Sequence, residues 1–229
     1  MSDLPQAQVS ASDSLRWEAR FVALWNRAGG GSATATAASA IYRRLVRLYG
    51  ESHRHYHTFE HIRRCLEEFD AVVALTDDPD PIEMALWFHD AVYTPGAPDN
   101  EQRSADLFQR CAEGGMDERF RQSVRELIMA TTHRRARARR NGCYVVDIDL
   151  CSFGSPWETF ERDGQRIRAE FAGVPDDRYY PNLLRFLRAL QGRPTFFFTD
   201  YFQQRYEAIA HANAQRLVET LRARGYSPV

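Results

Sequence analysis

The chain has 229 residues, 44% of them hydrophobic and 12% aromatic, a balance expected of one soluble globular domain large enough to bury a core. Its 30 basic and 31 acidic residues leave a net charge of −1, which excludes a global field that would gather nucleic acid, and no apolar run approaches the roughly 20 residues needed to span a bilayer. All the basic residues are Arg, so Schiff-base chemistry and a phosphate-loop lysine are excluded, and the polar stretch 1–14 reads as a flexible N-terminus rather than a secretory signal, which makes a cytoplasmic location the expectation.

Helical spacing predicts helices over Leu15–Arg27 and Ala37–Tyr49, joined through Gly29-Gly30-Gly31-Ser32. The stretch Gly50–His61 then carries four of the seven histidines. Thr58 is placed to cap a helix running to about Leu75, with Ile62, Leu66, Phe69 and Val73 inward. His61 lies on that stripe, one turn before Cys65, and His57 sits just ahead of the helix. His53 and His55 read as exposed loop residues. The four cysteines are scattered and read as reduced, mostly buried thiols.

The next helix is predicted to start at Asp80-Pro81-Ile82-Glu83 with a capping box, and its continuation Met84–Phe88 is apolar on every side, as in a helix surrounded by others. His89-Asp90 at its end is an expensive pair to desolvate unless a cation binds it. Beyond the loop Thr94–Asp99, helices are expected over Asn100–Cys111 and Asp117–Thr132, the second delivering His133. The basic run Arg134–Arg140 is either a solvated loop or a clamp of guanidinium forks for phosphate. Tyr144–Leu150 reads as a buried helix despite its β-branched residues, because no second strand could pair with it. Ser155-Pro156-Trp157-Glu158 resembles another capping box, and helices follow over Trp157–Phe171, Asn182–Leu190 and Asp200–Arg224. The fold class is all-α. His61, His89, Asp90 and one of Asp147 or Asp149 offer nitrogen and oxygen donors suited to a divalent first-row ion.

The order His, His-Asp, Asp on buried helices resembles the HD-domain superfamily of metal-dependent phosphohydrolases. The segments R-H-Y-H-T-F-E-H, W-F-H-D-A-V-Y, N-E-Q-R-S-A and D-I-D-L-C-S-F-G resemble a branch of predicted HD hydrolases, over roughly Tyr49–Gly154. The resemblance implies a single helical bundle over 1–229, its metal-site core near 49–154 and its remaining helices in 155–229. It implies metal ligation by His61, His89, Asp90 and Asp149, with Asp147 outside the ligand set or capping a helix. Tyr56-His57-x-x-x-His61 is also similar to the Tyr-His-Asn-x-x-His of cyclic-nucleotide phosphodiesterases, with Thr58 in place of Asn, which makes His57 a candidate general acid. Glu101 falls where related enzymes hold a carboxylate near the metal-bound water, and a Glu favoured by the helix dipole is the plainer account. His133 would meet a second ion or a substrate phosphate, with Arg134, Arg135 and Arg137 gripping distal phosphates.

The function so implied is hydrolysis of a small phosphorylated molecule, above all a nucleotide, by attack of metal-bound hydroxide. The cofactor is one divalent ion (Mn, Fe, Co, Ni, Zn or Mg), with a second left open. Two alternatives stand beside it: an HD-type di-iron oxygenase, and a silent metal-binding sensor or scaffold. RNA or single-stranded DNA processing is disfavoured by the near-neutral charge. The expected partner is a small phosphate substrate, not a membrane; an oligomer is left open.

Overall fold

The computed structural model describes residues 11–29, 35–133 and 141–228. Among them the chain forms ten α-helices and no strand: α1 (Ala11–Gly29), α2 (Ala35–Tyr49), α3 (Phe59–Val72), α4 (Pro79–Phe88), α5 (Asn100–Ala112), α6 (Glu118–Ala130), α7 (Asn141–Leu150), α8 (Trp157–Glu170), α9 (Asp176–Gln191) and α10 (Asp200–Ala223). Short 3-10 segments follow α3 (Val73–Leu75) and α7 (Cys151–Gly154). No helix among the described residues is long and apolar enough to cross a membrane.

α4 is the hub. A helix apolar all round must be enclosed by others, and α4 packs against α1, α3, α5, α6 and α7. Its Trp87 meets Trp17, Phe21 and Tyr42 edge-on, and the Tyr49 hydroxyl donates to the Trp87 carbonyl at 3.0 Å. Enclosure of α4 carries the residues at its C-terminal end, His89 and Asp90, into the interior. α7 reaches the same interior as a helix, as the want of a pairing strand predicted.

Several boundaries differ from expectation because tertiary partners compete with local capping. α4 begins at Pro79 behind Asp78, not at a capping box on Asp80. Asp80 and Glu83 are taken instead by α1, whose Arg27 and Arg20 pair with them at 2.8 and 2.7 Å. α3 gives way to 3-10 geometry at Val73, so Val72 is buried and Val73 is 38% exposed. α8 has Pro156 at its N-cap and no side-chain capping bond, so Ser155 lies outside the turn it was expected to cap. α9 starts at Asp176 and runs through Pro181. A proline there forfeits one backbone bond near the helix start, offset by Tyr179 packing on Phe171 and under Arg168.

α10 lies close against the 3-10 segment after α7. A side chain at Gly154 would meet the Tyr206 Cβ at 2.5 Å, so the close approach requires glycine there. This contact sets Tyr206 beside the end of α7.

Candidate metal centre

Four helices deliver the central side chains. α3 presents His61 and Cys65 from successive turns of one face, α4 ends at His89 with Asp90 next, and α7 presents Asp149 in its last turn. His133 follows α6. His61, Cys65, His89 and Asp149 form a buried group whose donor atoms all lie within 4.8 Å of one another and which could hold a metal ion.

Asp90 lies beside the two histidines of this group. His61 Nε2 lies 3.3 Å from His89 Nε2, 3.5 Å from Asp90 Oδ2 and 3.3 Å from Asp149 Oδ1. His89 Nε2 lies 3.1 Å from Asp90 Oδ2 and 3.5 Å from Asp149 Oδ1. Ligands about 2.1 Å from one ion would stand about 3.4 Å apart in a tetrahedron, or about 3.0 Å as octahedral neighbours. These five donor pairs therefore already have the spacing of neighbours in one coordination shell. His89 Nδ1 faces the Leu86 carbonyl at 3.0 Å. A carbonyl only accepts, so Nδ1 carries a proton and Nε2 is the nitrogen that could offer its lone pair to a metal.

The electrostatics point the same way. Burial opposes charge on His89, but Asp90 and Asp149 outweigh it and raise its pKa well above the ordinary histidine value. Burial likewise opposes ionisation of Asp149, yet hydrogen bonds from His133, His61 and His89 hold its carboxyl well below the usual range. Asp90 is held low against burial by His89 and His57, while burial lowers His61. The pocket thus favours positive charge at its centre, a proton or a metal ion.

Asp149 divides its oxygens. Oδ1 faces His61 and His89, and Oδ2 meets His133 Nε2 at 2.9 Å. His133 adopts φ 54°, left-handed backbone that a non-glycine residue holds only at a cost, and its Nδ1 is buried without a partner among the described residues. Asp147, two residues before Asp149, turns away. Its carboxylate accepts from the Phe198 and Thr199 amides and the Thr199 hydroxyl, which caps the start of α10. Burial pushes Asp147 up to about 6 against those bonds.

His57 is not in the cluster. Its ring lies 5.9 Å from that of His61, and its Nδ1 pairs with Glu170 Oε2 at 2.6 Å. The side chain is 21% exposed. Burial disfavours charge there, but Asp90 and Glu170 raise the His57 pKa above the ordinary value. Glu101 stands half-buried in the first turn of α5, where burial first, then Asp90 and Asp149, raise its carboxyl pKa. His55 is exposed, and His53 Nε2 lies 3.1 Å from the Tyr93 carbonyl. Arg134, Arg135 and Arg137 lie outside the described residues.

Three participants escaped the sequence reading. Cys65 was legible as a neighbour of His61 by its four-residue spacing, but not as a possible donor. Arg54 was hidden in a polar loop, yet it is fully buried and donates to the main-chain oxygens of His57, Asp90 and Ala91. Glu170, 113 residues from His57, gave no local signal. Compared with protein-family models, curated proteins and solved structures, the chain finds no match. Its all-helical architecture, with a buried His-Cys-His-Asp group able to hold a metal ion, fits an HD-like fold.

Proposed function

We propose that this chain is an HD-type, metal-dependent phosphohydrolase acting on a small phosphorylated molecule, with nucleotides the first class to screen. The observation that carries the reading is the convergence of His61, His89, Asp90 and Asp149 at donor spacings of 3.1–3.5 Å. The ordered motif resemblance supports it. A divalent ion held by these residues would supply a Lewis acid for a phosphoryl oxygen and lower the pKa of a water molecule.

The remaining work falls to the chain. Arg54 ties the loop of His57 to the turn after α4, so the two halves of the site keep a fixed separation. Glu170 fixes the His57 ring. Its Oε1 accepts the amides of His55, Tyr56 and His57, and its Oε2 takes His57 Nδ1 and the Tyr93 hydroxyl. With Nδ1 so engaged, Nε2 is the atom left to give a proton to a leaving oxygen, and the upward shift of the His57 pKa favours the protonated ring.

The test begins with metal analysis of protein purified without added metal, then a phosphatase screen over nucleotides. His57→Ala is expected to keep its metal and lose about 10²–10⁴ in rate with a poor leaving group, the scale of general acid catalysis. The loss shrinks for a nitrophenyl phosphate, whose leaving group needs little protonation. Full metal occupancy in both His89→Ala and Asp90→Ala would end the reading.

A second reading, a di-iron oxygenase, rests on Asp149 being shared between His61 and His89 on one oxygen and His133 on the other. Two irons per chain, oxygen consumption and loss of iron in His133→Ala would select it.

A further inference from the structure

Tyr93 stands three residues after Asp90, on the turn that follows α4. Three contacts fix it there. Its carbonyl accepts from His53 Nε2 at 3.1 Å, the Arg54 guanidinium lies over its ring at 5.4 Å, and its hydroxyl donates to Glu170 Oε2 at 2.9 Å. The same ring packs against that of His57, with centres 4.4 Å apart and planes tilted by 31°. Tyr56 meets the His57 ring edge-on at 5.0 Å.

The main chain of His57 is tied down as well. Its amide donates to Glu170 Oε1 at 2.9 Å, and its carbonyl accepts from Arg54 Nη1 at 3.2 Å. What remains to be fixed is the rotation of the imidazole about its own bond. Tyr93 against its face and Glu170 at its Nδ1 fix that rotation from two sides.

Glu170 Oε2 is shared between two donors, His57 Nδ1 at 2.6 Å and the Tyr93 hydroxyl at 2.9 Å. The Glu170 side chain has no exposed surface, so solvent cannot stand in for either. Burial first, then the charge of Glu170, raise the pKa of the Tyr93 phenol, which keeps the hydroxyl a donor. An acceptor oxygen relieved of one donor binds the other more tightly, because its negative charge is no longer divided. Without the Tyr93 hydroxyl, Nδ1–H would be drawn closer to Glu170, and the imidazolium would become a weaker acid at Nε2.

We propose that Tyr93 is the positioning residue of His57: its ring fixes the plane of the imidazole, and its hydroxyl, by sharing Glu170 Oε2, sets how firmly Nδ1–H is held. Nε2 is thereby kept aimed as a proton donor. Because Tyr93 and Asp90 sit on one turn, the same contacts keep that donor in step with the doublet that would hold the metal. The proton-donor role rests on the phosphohydrolase reading; the sharing of Oε2 does not.

The test is Tyr93→Phe in the full chain, which keeps the ring and removes one oxygen, and it is read in two ways. Ring-nitrogen NMR, detected through the carbon-bound ring protons and assigned by loss of the signal in His57→Gln, is expected to show His57 Nδ1 moved downfield, toward the unprotonated position. In kinetics, kcat is expected to fall about tenfold at unchanged KM for a phosphate ester with a poor leaving group, roughly the worth of one hydrogen bond to a charged group. A nitrophenyl phosphate should show no such loss, since its leaving group needs little protonation. An unmoved Nδ1 signal overturns the sharing, and the proposal with it. An equal loss on both substrates makes Tyr93 a structural residue only and overturns its positioning role. The two readings fail separately. A moved Nδ1 signal in a chain whose wild type hydrolyses no phosphate ester removes the hydrolase and leaves the sharing of Oε2. Metal-dependent turnover whose leaving-group dependence is the same in Tyr93→Phe does the reverse.

Discussion

Arg54 Nη1 donates to the main-chain oxygen of Asp90 at 2.7 Å, from a side chain with no exposed surface. The same guanidinium reaches the carbonyls of His57 and Ala91 and lies over the rings of Tyr49 and Tyr93. A buried charge is tolerated because every nitrogen has a partner, Nε taking Glu51. Arg54→Met is therefore expected to leave three carbonyls without this donor and to cost about 3–5 kcal/mol, the scale of breaking a buried charged network. Urea denaturation reads the loss and metal analysis reads the loosened site. An unchanged unfolding midpoint would show that Arg54 does not hold the two loops together.

The two aspartates of α7 should separate cleanly. Asp149→Asn is expected to lose bound metal, whereas Asp147→Asn keeps it. The second variant weakens the start of α10 instead, by about 0.5–2 kcal/mol as for loss of a helix cap. Metal content together with thermal melting of both variants checks this. Metal loss in Asp147→Asn at unchanged stability would reverse the assignment.

Glu170 makes stability depend on pH. Burial works against its ionisation, but hydrogen bonds from His57 and the backbone amides lower its pKa from the ordinary 4.5 to about 2. A depressed folded-state pKa gives stability that is present above the unfolded value and is lost as pH falls through the folded one. Its magnitude is about 3 kcal/mol by linkage. The raised pKa of His57 acts in the opposite direction, present below its unfolded value and lost as pH rises through its folded one. Wild type should therefore exceed Glu170→Gln in stability most between about pH 4.5 and 6.5, and the gap should close toward pH 2. Denaturation curves of both proteins across that range measure it, and a gap independent of pH would refute the pairing.

Cys65 tests the composition of the donor set. Its Sγ lies 3.6 Å from His61 Nε2, whereas Asp90 Oδ2 approaches both histidines, at 3.5 and 3.1 Å. Cys65→Ser is expected to retain full metal content, and the cobalt-loaded wild type to lack a thiolate charge-transfer band. A strong band that disappears in the variant would put sulfur in the shell and point to a softer metal such as zinc.

Helical content and the centrality of α4 were determined by the sequence alone, for a physical reason. Periodicity and all-round apolarity are local properties, and Met84–Phe88 has no polar side to show to water, so it must be enclosed with His89-Asp90 at its end. The tertiary structure decided whatever depended on partners distant along the chain. Asp80 and Glu83 carry the pattern of a capping box, but Arg27 and Arg20 of α1 claim them across more than 50 residues. Asp147 and Asp149 are two residues apart on one short helix, and only the packing of α7 between α3 and α10 aims one at the histidines and the other at Thr199. Glu170 reaches His57 because α8 folds back over the loop before α3. The reach of Arg54 to the main-chain oxygens of Asp90 and Ala91 has no trace in its neighbours along the chain, since whether a donor finds a partner is a property of the space around it and not of the residues beside it.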